Sequence, residues 1–392
     1  MLDDTRVRAD TPGLVADPDL VFLDSAGSSL PTTVVLDTQF GHLRREAEIG
    51  GYRAAAERLD DLAAVKSAVG ELIGAAATDI ALSDSATRSW SDYFHSVPLR
   101  PGDRILLSGS DYASNAIAAM HRAAETGAVV EHIPDDDTGR LDLDALAAMV
   151  DERVALVSLL HVPTNGGLVN PAAEATAIAH SVGALVLLDA CQSAGQLPLD
   201  AAELGVDALS ATGRKWLRAP RGTGFLYVRP DSATRLTPQR LDLHSAQWTA
   251  PDAYEPAPDA TRWEFWEHDV AARLGLGAAV RYLLDLGPEN VYTAIAERAA
   301  HLRAGLAGAR GVTLRDNGVR RSGIVSFTVD GVEATEVRDR LAAENMTVTV
   351  SFASSTLLDM TARGLPAVVR ASPHCFVSYP ELDRFVRAVA AL

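Results

Sequence analysis

Continuous apolar runs separated by longer alanine-rich stretches follow one another along the chain as far as Val228. Runs of this kind, bounded by helical patterns, are typical of strands that are buried on both faces of a parallel sheet. The predicted strands are Arg104–Leu107, Ala128–Glu131, Val154–Leu160, Leu185–Leu188 and Phe225–Val228. The pattern therefore predicts an α/β fold with a mostly parallel sheet, in which ligands lie beyond the carboxyl ends of the strands.

The pattern changes in the C-terminal part of the chain. A long helical stretch is predicted from about Leu274, and the apolar runs Gly323–Val329 and Met346–Val350 indicate strands of a smaller α+β domain. The segment Pro251–Ala260 is rich in proline and aspartate and predicts an exposed loop near the connection between the two domains.

Composition narrows the class of protein. The 392 residues carry 52 acidic and 35 basic side chains, a net charge of −17, which argues against binding to nucleic acid. The two cysteines, Cys191 and Cys375, exclude a disulfide framework and favour a reducing compartment. No apolar run approaches the ~18 residues of a membrane span. The acidic N-terminus lacks the apolar region of a signal peptide, so a cytoplasmic protein without a membrane partner is expected.

Chemistry-bearing residues follow two of the predicted strands. Leu185–Leu188 ends in Asp189, and the next short strand leads through Thr212 to Lys215. An acid and a lysine at neighbouring strand ends suit pyridoxal 5′-phosphate (PLP), which needs an amine for its aldehyde and a carboxylate to keep its ring nitrogen protonated. His161 also follows a strand, but a structural role is expected for it.

The same segments resemble a known family. Asp189-Ala190-Cys191-Gln192-Ser193-Ala194-Gly195, followed by Thr212-Gly213-Arg214-Lys215, resembles the cofactor-binding core of the class V aminotransferases, with arginine in place of the usual histidine before the lysine. The likeness runs from Phe22–Gly27 to Arg370–His374. It implies PLP fold type I: a large domain, residues 20–260, with a mostly parallel sheet of the seven-stranded type. The smaller α+β domain would comprise residues 261–392 and the N-terminal segment 1–19.

The resemblance also assigns roles around the cofactor. Asp189 would hold the ring nitrogen, Gln192 its phenolic oxygen, and Tyr112 would stack on the ring where the family usually has histidine. The phosphate would bind at a helix N-terminus and to nearby polar groups. The residues matched to that task are Ser85, Ala86 and Thr87, with Ser85 in place of the usual glycine, together with Thr212 and Arg214.

Further positions concern the substrate and a second subunit. Arg370 matches the family arginine that grips the α-carboxylate, for which a bidentate fork is suited. In the loop after His161, Thr164 is favoured for contact with the cofactor, and Asn165 is the alternative and a candidate substrate contact. Trp266 lies where the family places a contact to the partner subunit's phosphate, although threonine is usual there. The resemblance thus implies a homodimer with a shared active site. No metal ligand is assigned.

Two segments narrow the resemblance to one branch. Glu48–Ala55 and Thr261–Glu267 are similar to the isopenicillin N epimerase-like subgroup, which includes C–S lyases of ergothioneine biosynthesis and lincosamide antibiotic pathways. Desulfurases carry a catalytic cysteine in the region that corresponds to Val350–Thr356, and this chain has none there. Its absence argues against a desulfurase.

The leading hypothesis is β-elimination from a cysteine S-conjugate, which yields thiol, pyruvate and ammonia, with Lys215 as the base that removes the Cα proton. Decarboxylation coupled to oxidative deamination is the alternative, because the same cofactor serves whichever Cα bond stands perpendicular to its ring. Transamination and racemisation or epimerisation are less favoured. A sensor that binds PLP without turnover is disfavoured because Lys215, Asp189 and Arg370 are all present.

Overall fold

The computed structural model describes residues 2–392. Its strands are β1 (Val21–Phe22), β2 (Ile80–Ser83), β3 (Arg104–Ser108), β4 (Val129–Ile133), β5 (Val154–Leu160), β6 (Leu185–Asp189), β7 (Ala208–Thr212), β8 (Gly224–Val228), β9 (Ala246–Ala250), β10 (Ala253–Pro256), β11 (Val312–Leu314), β12 (Val325–Val329), β13 (Met346–Thr347), β14 (Thr349–Phe352) and β15 (Ala367–Ala371).

The helices alternate with these strands and cover both faces of the larger sheet. They are α1 (Asp4–Ala9), α2 (Pro12–Ala16), α3 (Ser25–Ser28), α4 (Thr33–Ile49), α5 (Gly51–Ala56), α6 (Leu59–Ile73), α7 (Ala86–Ser96), α8 (Ala113–Thr126), α9 (Leu143–Met149), α10 (Ala172–His180), α11 (Ala201–Leu204), α12 (Pro230–Arg235), α13 (Val270–Leu286), α14 (Pro288–Ala307), α15 (Ala334–Ala343), α16 (Leu357–Ala362) and α17 (Tyr379–Ala390). Within residues 2–392 none of them combines the length and the apolar character needed to cross a bilayer.

The larger sheet has seven strands in the order β2-β8-β7-β6-β5-β3-β4. Every pair is parallel except those of β8, which runs antiparallel to β7 and to β2. The central strand β6 is buried almost throughout, which explains why its sequence is continuously apolar up to Asp189 rather than alternating. The predicted mostly parallel α/β sheet is confirmed.

A second, four-stranded antiparallel sheet lies in the C-terminal part of the chain, in the order β11-β12-β15-β14. The prediction of one strand over Met346–Val350 is wrong. The chain changes sheets there, because β13 pairs in parallel with β1 whereas β14 pairs with β15, and the buried Val348 lies between them. The long helix α13 begins at Val270, earlier than expected, since Asp269 caps it by accepting from the Ala272 N–H at 2.8 Å.

The proline- and aspartate-rich segment is exposed, as predicted, but it is not wholly a loop. Its residues Ala253–Pro256 form β10, which pairs antiparallel with β9. Tyr254 lies opposite Trp248 in this hairpin, and the cross-strand aromatic pair is of the kind that stabilises two-stranded ribbons. The sequence pattern missed the strand because its prolines and aspartates favour turns.

The N-terminal segment contacts elements of the C-terminal part. Arg8 forms an ion pair with Glu381 of α17 at 2.8 Å, and Asp4 accepts from Arg298 of α14 at 2.7 Å. Beyond them, β1 adds to β13. These contacts join the N-terminal segment to the C-terminal part, and the division into residues 20–260 and residues 1–19 with 261–392 stays a prediction.

Gly224, the first residue of β8, lies where three backbone segments meet. A Cβ atom added there would lie 2.7 Å from the Ser85 carbonyl carbon, 2.8 Å from the Ala86 nitrogen and 3.0 Å from the Ala211 oxygen. The missing side chain is what allows the turn before α7 to approach the sheet. We expect Gly224→Ala to lower the free energy of unfolding by about 1–3 kcal/mol, because these atoms belong to backbone that must shift.

Thermal unfolding followed by circular dichroism would measure this effect. Gly41→Ala is the matched control, since an added Cβ at this exposed helical position meets no atom within 4 Å. That control should gain up to about 1 kcal/mol from helix propensity. An unchanged melting temperature in Gly224→Ala would contradict the packing described.

Candidate active site

A cavity of about 240 Å³ opens at the carboxyl ends of the parallel strands. It is where the sheet geometry places a ligand. Of the residues predicted for the site, those that line the cavity are Ser85, Ala86, Thr87, Tyr112, Thr164, Asp189, Gln192, Thr212, Arg214 and Lys215. Asn165, Trp266 and Arg370 do not line it.

One end of the cavity is suited to an anion. Ser85 caps α7 by accepting from the Arg88 N–H at 3.2 Å, and the N–H groups of the first helical turn have no partner within the helix. Ala86 and Thr87 present this turn to the cavity. Ser85 has φ −166°, an extended backbone that any residue adopts, so the glycine usual in the family is not needed here. Arg214 lines the same cavity and donates to the Gly27 carbonyl.

The other end holds the acid and the amine. Asp189 closes β6, and its carboxylate accepts from the Cys191 N–H at 2.9 Å and from Asn115 Nδ2 at 3.0 Å. Lys215 follows β7 and reaches the same cavity. Burial lowers the pKa of the Lys215 amine, which favours the neutral, nucleophilic form. A nucleophilic amine and a fixed carboxylate therefore face one space.

A buried network joins this cavity to the C-terminal part. Gln192 Nε2 donates to the Ala26 carbonyl at 3.0 Å and to Thr164 Oγ1 at 3.3 Å. Arg370 donates to the same Thr164 hydroxyl at 2.6 Å and to Asp24 Oδ1 at 3.2 Å. Because Thr164 Oγ1 already accepts twice, its own proton is the one left for a ligand in the cavity. Arg370 thus lies directly behind the cavity wall, and its Nε is buried without a partner.

Two predicted residues lie elsewhere. Asn165 is buried and its Nδ2 donates to Asp359 Oδ2 at 2.6 Å, so it faces α16 rather than the cavity. Of the two alternatives in this loop, the structure brings Thr164 to the cavity. Trp266 is 49% exposed; its backbone N–H donates to Asp242 Oδ2 at 2.8 Å, and its carbonyl oxygen pairs with His268 Nδ1 at 2.7 Å. Its predicted contact to a partner subunit stays a prediction.

The family model for aminotransferase class-V matches residues 21–385. The chain is 31% identical over 372 residues to a probable hercynylcysteine sulfoxide lyase of Mycobacterium tuberculosis, which covers 94% of this chain and 89% of that protein. It is also 28% identical over 382 residues to a probable cysteine desulfurase of Synechocystis sp., and this match covers 95% of this chain and 90% of that protein.

The chain belongs to the class V aminotransferase family. Two structures of C-DES, each 25% identical in sequence, superpose on this chain. The first has a TM-score of 0.88 and covers 98% of this chain and 98% of its own. The second has a TM-score of 0.87 and covers 97% of this chain and 99% of its own. One contains glycine covalently linked to the PLP cofactor, and the other is a complex between the cystine C–S lyase C-DES and its product cysteine persulfide. The predicted family, enzyme class and PLP cofactor are confirmed.

The cavity of this class V enzyme fits PLP by the chemistry of its donors. Lys215 offers an amine of lowered pKa for the aldehyde, and Asp189 offers a carboxylate for the ring nitrogen. The free N–H groups of α7, with Thr212 and Arg214, suit the phosphate. Tyr112, half exposed at the cavity wall, provides an aromatic face.

Sequence reasoning missed several residues of the class V site. Asn115 lines the cavity and donates to Asp189, and Asp111 lies behind it. Their spacing of four residues at the start of a helical stretch was the available signal. No sequence signal pointed to Asp24, the partner of Arg370, because only the tertiary fold brings these two residues together. His161 is structural, as expected: burial lowers its pKa to about 4, and its Nδ1 pairs with Ser193 Oγ at 2.9 Å.

The two thiols of this enzyme are unsuited to nucleophilic chemistry. Burial, followed by the charge of Asp189, raises the pKa of Cys191, and burial raises that of Cys375 to about 11. We expect neither to react with iodoacetamide at pH 7.5 under native conditions, because the thiolate is the reactive form. Mass spectrometry should find two adducts on the urea-unfolded chain and none on the folded one. Rapid native labelling of Cys191 would contradict this account.

Proposed function

We propose that this enzyme cleaves the C–S bond of a cysteine S-conjugate by β-elimination, yielding a thiol, pyruvate and ammonia. Two of the proteins it is similar to are described as lyases of sulfur-containing amino acids: the probable hercynylcysteine sulfoxide lyase of M. tuberculosis and the cystine C–S lyase C-DES. Similarity to desulfurases supports the same bond and the same cofactor. The sulfur-bearing half of the substrate is left open.

One observation carries the choice of elimination over desulfuration. The segment Val350–Thr356 contains no cysteine, and the two cysteines elsewhere have raised pKa values. Attack on the substrate sulfur needs a thiolate. What this chain offers instead is the Lys215 amine, whose pKa is lowered by burial, in the same cavity as the carboxylate of Asp189, an arrangement suited to removing a proton from carbon.

Three residues have separate roles in the proposed reaction. When bound, PLP supplies the electron sink that makes the Cα proton acidic. Arg370 would bind the α-carboxylate and orient the Cα–H bond. Lys215 Nζ would take the Cα proton while Asp189 keeps the ring nitrogen protonated. The Cβ–S bond then breaks, its electron pair leaves on sulfur, and water converts the remaining three-carbon fragment to pyruvate and ammonium.

A homodimer is part of the proposal. Large apolar side chains are exposed on the β9–β10 hairpin and nearby, with Trp248 78% and Tyr254 59% exposed besides Trp266. Patches of this kind favour a protein partner, and a second copy fits the family resemblance. A place in secondary metabolism, of the antibiotic-pathway type, rests on the subgroup resemblance alone.

A product assay tests the reaction. PLP-loaded enzyme is mixed with a panel of cysteine S-conjugates, and mass spectrometry follows thiol, pyruvate, ammonia, carbon dioxide and aldehyde. Free thiol with equimolar pyruvate is expected. Carbon dioxide with a sulfur-bound aldehyde and no pyruvate would instead establish decarboxylation coupled to oxidative deamination.

Lys215→Ala should reduce thiol release to the uncatalysed rate, because no other amine lines the described cavity. A melting temperature like that of the parent would show that the variant is folded. A rate of thiol release equal to that of the parent would contradict the proposed mechanism.

Arg370→Lys tests the carboxylate contact. The variant keeps the charge but loses the two-pronged fork, so we expect affinity for glycine to fall about tenfold to hundredfold. Glycine binding is followed by the absorbance of the PLP enzyme, with ethylamine, which has no carboxylate, as the reference ligand. Arg387→Lys, at an exposed position of α17, is the control variant. Equal losses for glycine and ethylamine would contradict the role of Arg370.

A further inference from the structure

A line of buried polar groups runs from the cavity into the protein behind Asp189. Asp189, Asn115 and Asp111 are 5%, 3% and 6% exposed, respectively. Asn115 Nδ2 donates to Asp189 Oδ2 at 3.0 Å and to Asp111 Oδ1 at 3.1 Å. An amide NH₂ has two hydrogens, so both are used. The opposite amide orientation would set an oxygen against two carboxylates, which fixes the side chain.

Asp111 has contacts of its own that secure the far end of this line. Its Oδ1 also accepts from the Tyr112 N–H at 2.7 Å, and its Oδ2 accepts from Ser158 Oγ of β5 at 3.3 Å. Tyr112 is the residue before α8 and bears the ring that lines the cavity. One carboxyl group thereby fixes both the backbone of Tyr112 and, through Asn115, the carboxylate of Asp189.

A capping role does not account for this arrangement. The residue in the capping position of α8 is Tyr112, whose side chain makes no capping hydrogen bond, and Asp111 lies outside the helix. Burying a second carboxyl near Asp189 is costly unless it is hydrogen-bonded. Burial, and then the charge of Asp189, raise the pKa of Asp111 to about 7 against the opposing hydrogen bonds. Asp189 faces it from the end of β6, on the far side of β5.

We propose that Asn115 and Asp111 are positioning residues that hold the Asp189 carboxylate against the ring nitrogen of PLP. With Oδ2 anchored by Asn115 and Oδ1 by the Cys191 N–H, the carboxylate cannot rotate away from the cavity. Asp111 in turn holds Asn115, so that the second amide hydrogen stays directed at Asp189 Oδ2. The proposal rests on the pairing of Asp189 with the ring nitrogen, and it holds whichever bond the enzyme breaks.

The test compares PLP with 1-deaza-pyridoxal phosphate, in which carbon replaces the ring nitrogen. Dissociation constants for both are measured by equilibrium dialysis against the apo-protein, for the parent and for Asn115→Ser and Asp111→Asn. We expect each variant to bind PLP about tenfold more weakly, because a hydrogen bond to a charged group is lost or weakened. Affinity for the deaza compound should stay within about twofold of the parent.

Two reference variants make the outcome decisive. Asp189→Asn should show the same selective loss; a loss that is equal for both cofactors, or no loss for PLP, would contradict the role of Asp189 and overturn the proposal with it. Asp142→Asn alters a cap of α9, where the side chain accepts from Asp144 and Ala145 at the helix start, and should change neither constant. If Asn115→Ser or Asp111→Asn lost affinity equally for PLP and its deaza analogue, or lost none for PLP, the residues would be structural only.

Discussion

The short segment from Leu23 to Ser29 is the constraint on which the site depends. Its backbone bonds to the smaller domain through Leu23, which donates to Thr347 O at 2.9 Å and accepts from the Ser372 N–H at 2.7 Å. It bonds to the larger sheet through the Ser29 N–H, which donates to Arg214 O at 2.9 Å. These groups are largely buried, so each bond that failed to form would leave an unsatisfied polar group, which is more costly than the bond is stabilising. The segment therefore ties β13 and the end of β15 to the loop that carries Arg214.

Burial, more than any single ion pair, determines the protonation states around the cavity. The same loss of solvent lowers the pKa of Lys215 and His161 and raises those of Cys191 and Asp111. Burial thereby disfavours the charged form of each of these groups: the protonated bases, the thiolate and the carboxylate.

The hydrophobic pattern of the sequence predicted the features that depend on neighbouring residues alone, such as buried strands and their ends. Strand ends such as Asp189 and Lys215 could be placed because continuous apolar runs mark buried parallel strands, and because these ends meet at one edge of the sheet. The pattern was wrong over Met346–Val350, where a two-residue strand joins β1 and the next joins another sheet; pairing partners are not encoded in periodicity. Asn165 and Thr164 could not be separated by sequence, because the orientation of adjacent loop residues depends on α16. Asp24 is the extreme case, since its partner Arg370 belongs to the far end of the chain.

The pairing of Asp24 with Arg370 joins residues 346 positions apart in the chain. Contacts of such separation form late, since the entropy of closing the intervening loop must be overcome first. During synthesis, the large sheet can assemble on the ribosome while the strand that carries Arg370 has yet to emerge. The hydrogen-bonding groups of the N-terminal segment then stay exposed to water until the C-terminal elements have been synthesised. A chain that stops short of β15 would keep the lysine and the carboxylate of its cavity but would lack Arg370 behind the wall, so premature termination removes that arginine while every residue that lines the cavity stays in the chain.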